Sequence, residues 1–212
     1  MRLVRATVSN DRVAHIVLSR PEKRNAINGE LAADLEQCVA AVAADGVRSA
    51  IMSADGPVFC AGADLTNPRA SVRAIDEVVN TLTSYPLHWT VIVRQPVLGA
   101  GLSLLAACPL VLATTQASFS LPEMSNGFFP TLLLPSQIAT MGARTAYNLA
   151  FSAAPMNASK AVAVGVVSEI CDDAEIDSDA AMRAAAIASR PGDALAEGIA
   201  HWQQFARTML LR

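Results

Sequence analysis

Lysine is almost missing from this 212-residue chain. Lys23 and Lys160 are the only two, so arginine carries nearly all the positive charge. Charged residues of every kind make up just 17%, and the formal net charge is −3. That leaves no basic footprint for nucleic acid. Cysteine is sparse and scattered: Cys38, Cys60, Cys108 and Cys171 form no C-x-x-C pair. The pattern argues against a disulfide framework or a zinc site and fits buried thiols in a reducing compartment. His15, His88 and His201 stand apart, without the spacing of metal ligands. Low-complexity tracts and sharp internal repeats are also lacking.

What the chain does have is apolar residues, at 52%. A disordered chain is thereby excluded and an extensive core expected. The start, "MRLVRATVSNDRVAHIVLS", holds no long apolar run and reads as a first strand, not a signal. The uncharged region 95–122 is long enough to span a membrane. Pro96, Pro109 and its Thr, Ser and Gln residues fit the strands and helices of a core better. The expectation is a cytoplasmic protein with no membrane span.

Charge is rarest around one residue. Between Arg94 and Arg144, Glu123 is the only charged side chain, in "SFSLPEMSNG". A buried carboxylate without a partner is costly, so this one is either a surface accident or a working acid/base.

The order of elements follows from periodicity. "RVAHIVLS" is a β-branched strand ended by Arg20-Pro21. Asn28 can cap a helix over "GELAADLEQCVAAVAADG", with Leu31, Leu35, Cys38, Val39 and Val42 on one face. "RSAIMSA" is a strand, "VFCAGADL" is strand-like, and residues 70–84 read as a helix. "TVIVRQPV" reads as one strand, and "GAGLSLLAAC" opens a helix. "PLVLA" and "ASFSL" are strand-like, and "GVVSEI" is a further strand. Residues 132–141, 143–152, 158–163 and 176–189 read as helices. Strands alternate with helices, so the class is α/β.

Two turns built from small residues stand out. One is Ala61-Gly62-Ala63 followed by Asp64; the other is Gly99-Ala100-Gly101 opening a helix. Small residues let a ligand approach the main chain, and free N–H groups there could polarise a carbonyl. "GAGLSL" is not a dinucleotide fingerprint, because Leu104 holds the third glycine position and no acidic residue follows about twenty residues on. No G-x-S-x-G elbow occurs, which leaves Ser103 a poor nucleophile.

"RPEKRNAIN", "FCAGADL", "QPVLGAGLSLLAAC" and "ASFSLPEMSNGFFP", in that order, resemble the crotonase superfamily of enoyl-CoA hydratases and isomerases. The resemblance covers roughly residues 3–170. It implies a spiral of β-β-α turns over 1–171 and a helical region over 172–212 that serves oligomerisation. It further implies an acyl-CoA substrate, with CoA as part of that substrate and no separate cofactor or metal. A homotrimer or dimer of trimers is the implied assembly, although the chain ends earlier than is usual in the family. By motif position, Ala63 and Ala100 would donate N–H groups to the thioester oxygen, and Glu123 would be the acid/base. Ala61, Gly62, Gly99 and Ser103 would shape the substrate site. Lys23 and Arg24 would meet the CoA phosphates, and Asp64 would hold its turn.

Three departures bear on the reaction. Hydratases of the family carry a second glutamate where Ser103 stands here. Gln95 replaces a usual glycine, and "TLLLPSQI" replaces the usual "GAGGTQRL". One remaining carboxylate implies double-bond isomerisation or other one-base chemistry over efficient hydration. The alternative is a catalytically degenerate acyl-CoA-binding or scaffolding protein.

Overall fold

A computed structural model describes residues 2–210. Its larger sheet has the order β1-β2-β3-β4-β6-β9. These strands are β1 (Val4–Val8), β2 (Val13–Leu18), β3 (Ser49–Ala54), β4 (His88–Val93), β6 (Leu110–Ala113) and β9 (Glu169–Ile170). Within this sheet β1 and β2 pair antiparallel and the pairs β2-β3, β3-β4, β4-β6 and β6-β9 are parallel. A smaller sheet holds β5 (Val97–Leu98), β7 (Ser118–Ser120) and β8 (Met156–Asn157) in the order β5-β7-β8.

Both faces of the parallel region are covered, so its strands are apolar throughout. Trp89, Val91 and Val93 of β4 enter the main core, with Ile16, Leu18, Met52 and Val111 from neighbouring strands. The alternate residues Val13, Ile51, Ile92 and Leu112 meet Ile176, Ala180 and Ala184 of helix α7 (Ile176–Ala188). Helix α1 (Gly29–Ala44) buries Leu31, Leu35, Cys38, Val39 and Val42, and Asn28 caps it by accepting from Leu31 N. It packs against α2 (Pro68–Ser84). The remaining helices are α3 (Gly101–Ala106), α4 (Leu134–Met141), α5 (Ala143–Ser152), α6 (Ala158–Val164) and α8 (Gly192–Leu210).

Four expectations change. The first strand is a hairpin of two, β1 and β2, turned through Ser9–Arg12 with Arg12 at φ +57°. "TVIVRQPV" is two strands in different sheets, because the chain leaves β4 at Arg94 and resumes after Pro96, which has no N–H to give a ladder. "VFCAGADL" forms only isolated bridges, Cys60 to Val97 and Ile27 to Ala63. "GVVSEI" contributes only Glu169–Ile170 as strand. The uncharged stretch 95–122 folds into β5, α3, β6 and β7. Among the described residues no helix is long and apolar enough to cross a membrane.

Candidate active site

Short backbone ladders bring the four motifs into register. Ile27 N donates to Gly62 O and Asp64 N donates to Ile27 O, at 2.7 and 2.8 Å. Phe59 N donates to Pro96 O and Leu98 N to Cys60 O, at 3.0 and 2.9 Å. Gly99 N donates to Ser120 O at 2.9 Å. Residues 24–27, 59–64, 96–100 and 118–123 therefore form consecutive steps. Because β5 and β7 run parallel with Leu98 beside Ser120, Gly99 and Glu123 emerge at the same end.

The two small-residue turns face each other. Gly62 has φ +86°, and a Cβ placed on it would lie 3.0 Å from Ala100 N and 3.0 Å from Leu98 O. Only glycine satisfies both that conformation and that contact. Among the described residues, neither Ala63 N–H nor Ala100 N–H donates a hydrogen bond to a protein acceptor. Ala61, Ala63, Ala100 and Glu123 line one cavity of about 460 Å³. Its walls are apolar, from Leu65, Val72 and Ile75 on one side and Phe128, Phe129 and Leu132 on another.

Glu123 sits in a 3₁₀ turn, Pro122–Asn126, directly after β7. The residue is 7% exposed. Its Oε2 is buried without a hydrogen-bond partner among the described residues. Burial pushes its pKa up, and its own backbone N–H opposes that shift. The carboxyl lies over Gly99: a Cβ there would fall 2.6 Å from Glu123 Oε1.

The other residues singled out in the sequence fall elsewhere. Asp64 has its carboxylate in an ion pair with Arg20 at 2.7 Å, both nearly buried. Thr66 donates to Asp64 Oδ1 through its hydroxyl at 2.5 Å and its backbone N–H at 3.0 Å. The Thr66 hydroxyl, the Thr66 N–H and then Arg20 lower the Asp64 pKa to about 2. Asp64 thus ties its turn to the loop after β2 through its charge, while the Ser71 hydroxyl of α2 donates to its backbone carbonyl at 2.7 Å. Lys23 lines a separate groove of about 560 Å³ with Arg20, Asn28, Asp64 and Asn67. Arg24 is exposed and lines neither space, while its carbonyl accepts from Ala61 N at 3.0 Å. Ser103 is buried in α3, with its hydroxyl 3.3 Å from that of Ser136. It borders a small void beside the main cavity.

Sequence reasoning missed Ser136 and Gln137 beside Ser103, and the α2 wall of Val72 and Ile75. Val72, Ile75 and Val79 recur at helical spacing, a signal that was present. Nothing local marks Ser136. Among the described residues no group of three or more His, Cys, Asp and Glu side chains is arranged to hold a metal ion.

The parallel steps, the covered sheet and the two facing turns are those of a crotonase-type α/β fold. The family model for enoyl-CoA hydratase/isomerase matches residues 9–210, and the chain belongs to that family. It is 25% identical over 203 residues to rat enoyl-CoA hydratase domain-containing protein 3, mitochondrial, covering 91% of this chain and 68% of that protein. It is 30% identical over 180 residues to enoyl-CoA isomerase/hydratase fer4 of Mycosarcoma maydis, covering 74% of this chain and 65% of that one. A solved enoyl-CoA hydratase/isomerase family protein from Silicibacter pomeroyi superposes with a TM-score of 0.86 at 27% identity, over 95% of this chain and 90% of that one.

Proposed function

We propose that this protein acts on acyl-CoA thioesters by forming an enolate, with Glu123 as its acid/base. One observation carries the reading: among the described residues, two amides without a protein acceptor and a buried carboxyl whose Oε2 has no hydrogen-bond partner line a single apolar cavity. Ala63 N–H and Ala100 N–H would hold the thioester oxygen where charge develops. Glu123 takes a proton from the α carbon, and the C–H electron pair moves into the enolate. Returning the proton at the γ carbon of a 3-enoyl group shifts the double bond and gives the 2-enoyl isomer. A carboxyl whose pKa is raised by burial is suited to both steps near neutral pH.

One-base chemistry is favoured over efficient hydration because serine cannot replace a carboxylate as base. Here its hydroxyl is also engaged with Ser136. The names of the relatives include both hydratase and isomerase. Lys23, and Arg24 if its side chain swings inward, would meet the CoA phosphates. The homotrimer or dimer of trimers belongs to the same proposal and is read by light scattering. An acyl-CoA binder without turnover is the second reading, and the Ser103–Ser136 contact is what favours it. A panel of 2-enoyl- and 3-enoyl-CoAs, followed for water addition and double-bond migration, tests the assignment. Migration without appreciable hydration is expected. Hydration as the dominant reaction would overturn the one-base reading.

A further inference from the structure

A second apolar cavity, of about 370 Å³, lies at the other end of β4 from the Glu123 site. His88 opens β4, whereas the Glu123 site is reached past its far end, through Pro96 to Gly99. The cavity is framed by His88, by Ile187 and Arg190 around the end of α7, and by Leu195, Ile199 and Trp202 of α8. It shares no lining residue with the Glu123 cavity.

The polar side chains on its wall are all donors. The His88 Nδ1 is buried and has no hydrogen-bond partner among the described residues, and Nε2 is the ring nitrogen left in reach of open space. Burial pushes the His88 pKa down, so the ring is neutral and carries one proton. On Nδ1 that proton would be a buried donor without an acceptor; on Nε2 it is offered to an occupant. The Trp202 indole N–H donates and cannot accept. Arg190 is exposed, and among the described residues it forms no ion pair. No Asp or Glu lines the cavity among the described residues. Arg48 adds a second cation nearby, donating to Gly192 O at 2.7 Å and accepting from His88 N through its carbonyl at 2.8 Å.

Donors without acceptors, one of them permanently charged, around an apolar space suit a hydrocarbon body that ends in an anion. We propose that this cavity binds an apolar monocarboxylate, with its carboxylate on Arg190 and His88 Nε2–H and its hydrocarbon against Ile187, Leu195 and Ile199. The site is separate from the acyl-thioester reading and stands without it.

Calorimetric titration of the full chain compares octanoate with 1-octanol and with inorganic phosphate. Octanoate should bind about tenfold more tightly than either. Because the Glu123 cavity is apolar too, both variants are placed in this one. Arg190→Gln should weaken octanoate about tenfold and leave octanol unchanged. Gly198→Leu should abolish octanoate binding. Gly198 lines the cavity from α8, and a Cβ there meets nothing within 4 Å, so the larger side chain fills the space without straining the fold. Urea midpoints check that both variants are folded. Equal affinity for octanoate and octanol would overturn the carboxylate site. Octanoate that binds both variants as it binds wild type sits elsewhere, and overturns it too. No octanoate binding at all would overturn it as well; a mass changed by Gly198→Leu in light scattering would then assign the face to a contact between copies of the chain.

Discussion

Gly99→Ala separates the position of Glu123 from the stability of the fold. Gly99 has φ +52°, and an alanine held there costs about 1–2 kcal/mol. Its Cβ would lie 2.6 Å from Glu123 Oε1, whereas ordinary contact begins at 3.4 Å. The carboxyl end of a flexible side chain can yield, so the overlap is relieved by moving Glu123 about 0.8 Å. A displacement near 1 Å costs a proton transfer roughly 100-fold. Gly62→Ala is the contrast. At φ +86° its Cβ meets backbone atoms, Ala100 N and Leu98 O at 3.0 Å, which cannot move alone. Its expected loss is about 2–4 kcal/mol of stability. Urea denaturation reads the stability of both variants, and double-bond migration on a 3-enoyl-CoA reads the chemistry. If Gly99→Ala keeps the wild-type rate while showing its stability loss, the Glu123 carboxyl is not the group that moves the proton.

Three further outcomes follow from the same geometry. Glu123 has a folded-state pKa raised above its unfolded value, so its contribution is intact below that unfolded value and is lost as pH rises through the folded one. Glu123→Gln should therefore gain stability over wild type at pH 8 and show a smaller gain at pH 4, read by urea midpoints. Asp64 has the opposite sign: its stabilisation is present above about pH 4 and is lost as pH falls toward its folded pKa of about 2. Asp64→Asn should cost about 2 kcal/mol at pH 7 and flatten the acid limb of the stability curve. Lys23→Ala should raise the KM for acyl-CoA, more at low salt, and leave the KM of the matching pantetheine thioester unchanged; equal effects on both would remove Lys23 from phosphate binding.

Much of the candidate site was legible because the residues that line it are marked by scarcity. Glu123 is visible by the absence of other charge around it, and the turns at Gly62 and Gly99 by a run of small residues. The α1 face was readable because five apolar residues recur at helical spacing behind an asparagine cap. The β1–β2 hairpin was hidden because its turn puts Arg12, not glycine, in the left-handed region. The break between β4 and β5 depends on which sheet each half joins, which no local pattern encodes. Ser136 reaches Ser103 only because α4 packs on α3, across 33 residues of sequence.

The most direct measurement is exchange of the acyl α-proton in heavy water, followed by NMR with saturated acyl-CoA. The wild-type protein should exchange it, and Glu123→Gln should be slower by about 100-fold or more while still binding the thioester. Exchange by Glu123→Gln at the wild-type rate would contradict the account, and so would a wild-type protein that binds acyl-CoA and exchanges nothing.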